Sequence, residues 1–281
     1  MKITKSIYFC LLVVLLSGCG NNKNDWGNMR LSGKVKQIIE LQYIAEMKFG
    51  KPEKGDLYRE DGWDQIFVFN DKGYFEKITQ MNQVSDEVGY SEYKYDKNNR
   101  LTLVSAYDAE GGISDKATYT YDKDNRLTQI ISFNNTDNIT GSTLYEYNKD
   151  IVTISSYSAR GALKNKAVQK MSSKNFPSET KVYGPENNLV NHRKEKYNSD
   201  GLLESLIVFF PEDGSVIMNI KLKYDDKGNL IKKEGTDENG QPFLPTRYEY
   251  KFDEKGNWVE KIEYEGDKPT FITERQIEYF K

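Results

Sequence analysis

The chain has 281 residues, a formal charge of −3 and one histidine, with 20 tyrosines but only 7 prolines. That length is ample for a sizeable core or a repeat array, and a mildly acidic chain without a basic block gives no electrostatic reason to expect nucleic acid. Tyrosines spread among alternating polar residues favour strands over helices, and their regular spacing argues against disorder despite the low mean hydropathy of −0.76.

The first element is "MKITKSIYFCLLVVLLSGCG". Two early lysines precede an apolar run from Ile7 to Leu16. Ten helical residues rise about 15 Å, half of a bilayer core of about 30 Å, so the run reads as a signal-peptide core rather than a spanning helix. It ends in Leu16-Ser17-Gly18-Cys19, which resembles the lipobox of bacterial lipoproteins. The resemblance implies a signal peptide over residues 1–18 and a diacylglyceryl group on the thiol of Cys19. Cys10 leaves with the signal peptide, so Cys19 is the only mature cysteine and no internal disulfide forms. Several acyl chains, at about 0.8 kcal/mol per buried methylene, anchor permanently. Residues 19–33, polar and rich in Gly and Asn, are expected to form a flexible tether.

Residues 34–281 are expected to form one domain. Its first segment, "GKVKQIIELQYIAEM", is ambiguous and is read as a strand. From there the chain repeats itself: "YKYDKNNRL" returns as "YTYDKDNRL". Aromatic or apolar anchors recur about every 26 residues at Phe69, Tyr95, Tyr121, Tyr147, Met171, Tyr197, Tyr224 and Phe252. A fixed period of this kind sets the architecture. One residue after each anchor stands Asn, Asp or Ser, whose short polar side chains bond a turning backbone. Four residues after it stands Gly or Asn, the types that tolerate positive φ; Ile151, in a shortened copy, is the exception. This pattern matches a three-residue hairpin loop with a bulge. Second turns, such as "DAEGG" and "PEDG", return the chain to the next unit.

The expected fold is therefore all-β: tandem β-hairpin repeats of about 26 residues forming an extended, twisted or partly rolled antiparallel meander sheet. Open edges are expected at both ends, with "QIEYFK" at the C-terminus as an edge strand available to a partner. Alternation places Tyr93 with Tyr95, Tyr119 with Tyr121 and Tyr145 with Tyr147 on one face.

The phrase Tyr-x-Tyr-Asp-x-x-x-Arg/Gly-Leu, here "YKYDKNNRL", "YTYDKDNRL" and "LKYDDKGNL", resembles the YD or RHS repeat of bacterial surface and toxin proteins and of small lipoproteins of the Bacteroidetes type. The resemblance covers most of residues 66–281 and speaks to architecture rather than activity. In large RHS proteins the repeats wind into a shell around a cargo; with eight units, no self-cleavage core and no cargo after Lys281, this chain is expected to form an open sheet instead.

No catalytic or metal-binding residue is assigned. His192 lacks partners for a metal cluster or a nucleophilic set. The recurring acids sit where turn geometry already explains them, and no loop carries a full calcium pattern. No cofactor is expected. The residual candidates for a ligand or partner face are Tyr93, Tyr95, Tyr119, Tyr121, Tyr145 and Tyr147, with Trp63 and Trp258 near turns. The expected function is that of a non-enzymatic cell-envelope lipoprotein, most simply of the outer membrane. It would meet the membrane through its lipid and present its repeats to a protein or glycan. Toxin neutralisation and carbohydrate binding are the alternatives.

Overall fold

The computed structural model describes residues 24–58, 64–81, 87–173 and 175–281. The signal peptide, Cys19 and Trp63 lie outside the described residues. After a single helical turn, α1 (Asp25–Asn28), the chain is strands throughout: β1 (Val35–Lys48), β2 (Lys51–Leu57), then eight hairpins and a final strand. The hairpins are β3 (Gln65–Phe69) with β4 (Phe75–Met81), β5 (Glu87–Tyr95) with β6 (Leu101–Asp108), β7 (Ile113–Tyr121) with β8 (Leu127–Asn134), and β9 (Ile139–Asn148) with β10 (Ile151–Ser158). They continue as β11 (Leu163–Met171) with β12 (Pro177–Tyr183), β13 (Leu189–Tyr197) with β14 (Leu203–Phe209), β15 (Val216–Tyr224) with β16 (Leu230–Thr236), and β17 (Thr246–Phe252) with β18 (Trp258–Glu265). The last strand is β19 (Lys268–Tyr279). The ambiguous segment is thus a strand, and seven of the eight anchors end the first strands of their hairpins, while Tyr147 stands one residue before the end of β9.

The turns form as their residue types require. Gly73, Asn99, Asn125, Asn175, Gly201, Gly228 and Gly256 all have positive φ, between 59° and 86°. In the turn after Tyr95, Asp96 Oδ1 accepts from the backbone N–H of Asn98 at 2.8 Å and of Arg100 at 3.0 Å. Arg100 Nε returns to Asp96 Oδ2 at 2.7 Å, and its guanidinium lies 5.0 Å over the Tyr121 ring of the next unit. Asp122, Arg126 and Tyr147 repeat the arrangement one unit on, at 2.8 Å and 4.7 Å. The Asp shapes its own turn, and the Arg ties that turn to the following Tyr.

Consecutive strands from β3 to β19 pair antiparallel, as a meander. The sheet is not open. β1 pairs with β19 from Val35↔Tyr279 to Ile44↔Phe271 along one edge, and with β3 from Gln37↔Val68 to Glu40↔Gln65 along the other. β1 and β3–β19 therefore close a ring of eighteen strands, and the expected extended or partly rolled sheet with free edges is corrected to a barrel. The physical reason is length. β1 has 14 residues and serves two neighbours before it turns into β2. The C-terminal "QIEYFK" strand is consumed by β1 rather than left as an edge.

At the point where β1 passes from β3 to β2, its ladder would leave Gln42 unpaired. Asp64 Oδ1 accepts the Gln42 N–H at 2.9 Å, and the Gln42 carbonyl accepts the N–H of Tyr58 at 2.8 Å. The carboxylate of Asp64 is 1% exposed, so this bond replaces water that cannot reach the junction.

The shortest ladder in the ring is β16–β17, with the pairs Lys232↔Arg247 and Lys233↔Thr246. Few ladder bonds mean a low local opening free energy. Native-state hydrogen exchange should therefore find the amides of 232–236 and 246–248 exchanging before those of β7 and β8. Equal protection at the two places would show that the barrel has no weak seam there.

Candidate functional site: a two-sided lumen under an N-terminal strap

Residues 24–34 are not a free tether. Asn24 caps α1 by accepting the Gly27 N–H at 3.0 Å, and its own amide donates to Lys72 O at 2.6 Å. Asp25 Oδ2 accepts from the N–H of Phe75 at 2.8 Å, and the Trp26 N–H donates to Gly73 O at 3.1 Å. The Trp26 indole donates to Val35 O at 2.8 Å and packs with Phe69 and Phe280. Four residues later Arg30 lies against Gly228 and approaches Asp200 O at 3.5 Å. Asn257 then holds Ser32 through two bonds of 2.7 and 2.8 Å. Residues 19–23 of the expected tether lie outside the described residues.

This path identifies the inside of the barrel. Along the ring, the β3–β4 turn and the β15–β16 turn are six strand spacings apart by the shorter way, about 29 Å. Four residues span at most about 14 Å. The segment from Trp26 to Arg30 therefore cuts across the mouth as a strap, on the concave side. It packs on Val35, Ile38, Phe69 and Phe75, the most buried apolar cluster, with Tyr93, Ile277 and Tyr279 at its margin.

Register then sorts every strand. On β5, β7 and β9 the inward side chains are Tyr93 and Tyr95, Tyr119 and Tyr121, and Tyr145 and Tyr147. Between them stand Val104, Ile130 and Val152, each buried. The six tyrosines expected to share a face do so, and that face is the inner wall. The anchors among them are already engaged: Tyr74 packs on Tyr95 at 5.1 Å, Arg100 and Arg126 cover Tyr121 and Tyr147, and Tyr147 donates to Leu127 O at 2.8 Å. Burial pushes the Tyr145 hydroxyl up to about 12.

The other half of the inner wall is charged. Arg193, Glu195, Lys233, Lys261, Glu263, Arg275 and Glu40 point inward from β13, β16, β18, β19 and β1. Arg275 donates to Glu40 at 2.8 Å and stacks 3.5 Å over Trp258. Arg275 is 9% exposed, and breaking such a buried pair from one side costs on the order of 3 kcal/mol. Lys261, facing Tyr250 and Thr273, is held below its ordinary value by burial; Glu263, facing Tyr248 and Phe271, is pushed up by burial. Paired residues driven in opposite directions mark a place where charge is desolvated. Sequence reasoning missed these groups. The signal was there in the i, i+2 spacing of Lys261 and Glu263 on one strand face, but which face was inward depended on closure.

Trp258 and Arg275 floor a recess of about 460 Å³ between the strap (Met29–Ser32) and the turns carrying Lys227, Glu254 and Lys255. Trp258 thus belongs to the mouth, away from the tyrosine wall. His192 lies on the outer wall, bonded to Glu179 at 2.7 Å and stacked on Phe209. Among the described residues no group of three or more His, Cys, Asp or Glu is placed to hold a metal ion.

No protein-family model matches the chain, and no curated protein sequence matches it. Among solved structures it is similar to a porin-like protein from Bacteroides uniformis, with 11% identity, TM-score 0.33, and 88% of this chain and 98% of that one covered. A porin-like protein from Bacteroides vulgatus gives 10% identity and TM-score 0.32 over the same shares. The Photorhabdus luminescens Tc holotoxin pore gives 11% identity and TM-score 0.18 over 75% of this chain and 19% of that one. These scores fall below the level at which a shared fold follows.

The strap can be tested at one glycine. Gly73 has φ +83, and an added Cβ would run into the Trp26 ring. Gly111 has φ +81 with nothing within 4 Å. Both Ala substitutions carry a positive-φ penalty of about 1 kcal/mol; only Gly73→Ala also dislodges the strap. Thermal unfolding should show a clearly lower midpoint for Gly73→Ala than for Gly111→Ala. Identical midpoints would mean the strap adds nothing to stability.

Proposed function

We propose that this chain is a non-enzymatic binding barrel of the bacterial cell envelope, anchored through lipid on Cys19 and built from YD-type repeats. The observation that carries this reading is the charge spread over the outer wall. Outward positions include Glu92 and Lys94, Glu146, Lys166 and Lys170, Lys194 and Lys196, Lys221 and Lys223, and Glu249 and Lys251, most of them exposed. A Lys or Arg facing lipid at a bilayer midplane costs about 2–4 kcal/mol, and here such residues recur around the ring. A membrane-spanning barrel needs an apolar outer band; on this outer wall the aromatic side chains, such as Tyr107, Phe209 and Tyr264, stand among charged ones.

The position of the strap supports the anchoring. Cys19 stands five positions before Asn24, a reach of about 18 Å at most. A lipid on Cys19 would hold the strapped mouth close to the membrane and direct the opposite mouth away from it. The Cys19→Ala chain should leave the membrane fraction, stay monodisperse without detergent and conduct no ions across a planar bilayer. A detergent requirement or a measurable conductance would refute the water-soluble barrel.

A second reading, glycan binding in the lumen, is favoured by the facing of a neutral tyrosine wall and a charged wall. Aromatic rings stack on sugar faces, and charged side chains bond hydroxyls. A glycan array probed with the chain should yield a saturable ligand whose affinity falls at least tenfold in Tyr119→Ala/Tyr145→Ala. The outward control Lys94→Ala should leave it unchanged. Equal binding by both variants would place any glycan on the outside.

A further inference from the structure

The large apolar side chains that remain exposed are not scattered. Nearly all gather at the mouth opposite the strap, where the second turn of each unit lies. Ile113 and Ile139 open β7 and β9, Val190 and Val216 stand at the starts of β13 and β15, and Leu244 precedes β17 at 66% exposure. The repeat period carries them around the rim. The same turns are acidic: segments 108–112, 134–138, 158–162, 184–188, 210–215, 237–245 and 265–268 hold ten carboxylates against Arg160 and Lys268.

Above this rim projects the β1–β2 hairpin. β1 loses its β19 partner after Ile44, yet it continues to Lys48, about 13 Å farther. The tip is Lys48-Phe49-Gly50-Lys51, with φ +50 at Phe49 and +77 at Gly50. Two left-handed residues make the tight turn that Asn-Gly normally fills. Phe is a poor choice for that backbone, and its ring is fully exposed. Neither turn geometry nor packing explains a phenylalanine there. An outlier of this kind points to a contact outside the chain.

We propose that the rim opposite the strap, with Phe49 as its projecting anchor, docks a protein partner through a cationic amphipathic segment. The apolar ring supplies buried area, and the acidic turns supply complementarity to lysine and arginine. The same acidity argues against a second copy, because two such rims would meet with like charge. It also argues against an anionic lipid surface. The proposal concerns the outer rim and is independent of any ligand in the lumen.

The test uses the full chain carrying Cys19→Ala and two synthetic 18-residue amphipathic helices, one of Lys and Leu and one of Glu and Leu. Fluorescence anisotropy should show saturable one-to-one binding of the Lys/Leu peptide and none of the Glu/Leu peptide. Phe49→Gly should weaken that binding at least tenfold while raising the unfolding midpoint, since glycine accepts the positive φ. Ile139→Ser/Leu244→Ser should weaken it similarly with all carboxylates kept. Unchanged affinity in both variants would reduce the effect to bulk charge and overturn the proposal. A Phe49→Gly chain less stable than the parent would assign Phe49 a structural role. Sedimentation showing a dimer that Phe49→Gly dissolves would give the rim to a second copy instead.

Discussion

Every strand of the barrel has two neighbours because β1 reaches both β19 and β3. A repeat of hairpins has no intrinsic reason to stop or to close, and each unit satisfies only the strand beside it. Without β1, the outer edges of β3 and β19 would present unpaired backbone groups to water or to other chains. With it, the N-terminal and C-terminal ends of the domain are joined by the longest ladder of the sheet, and the junction with β2 is sealed by the buried carboxylate of Asp64. Closure also defines an inside, and the functional reading rests on that distinction.

Within the wall, the repeat is held by a chain of small polar devices rather than by a thick core. An Asp such as Asp122 organises its turn through two backbone N–H groups, and Arg126 clamps that Asp while covering Tyr147 of the next unit. The carboxyls of Asp96 and Asp122 are held below their ordinary values by these bonds, first of all those from the backbone N–H of Arg100 and Arg126. Their contribution to stability is therefore complete above the ordinary carboxylate range and fades as pH falls through the lower folded values. The apolar component is thin: Val104, Ile130 and Val152 each pair with a tyrosine on one side only, Tyr93, Tyr119 and Tyr147.

The strap adds what a pure repeat lacks. By crossing from the β3–β4 turn to the β15–β16 turn it draws the mouth together, and Trp26 seats its indole where Gly73 leaves room. The strapped mouth and the open mouth consequently differ in chemistry. One is closed by backbone and side-chain hydrogen bonds around a small recess. The other carries an apolar, acidic rim and a projecting hairpin.

The sequence by itself determined the hairpin unit, its period, the turn residues and the common face of Tyr93, Tyr95, Tyr119, Tyr121, Tyr145 and Tyr147. These are local properties: the left-handed backbone at Asn99 or Gly228 follows from residue type, and strand alternation fixes which side chains travel together. Closure could not be read the same way. It depends on β1 pairing with residues more than 200 positions away, and "GKVKQIIELQYIAEM" carries no mark of a second neighbour. The inward orientation of Lys261, Glu263 and Arg275 and the seating of Trp26 under the mouth follow from closure. So does the gathering of Ile139, Val216 and Leu244 on one rim. A repeat pattern specifies how each strand meets the next, whereas the curvature summed over eighteen strands and the long-range pairing of the two ends are properties of the whole chain.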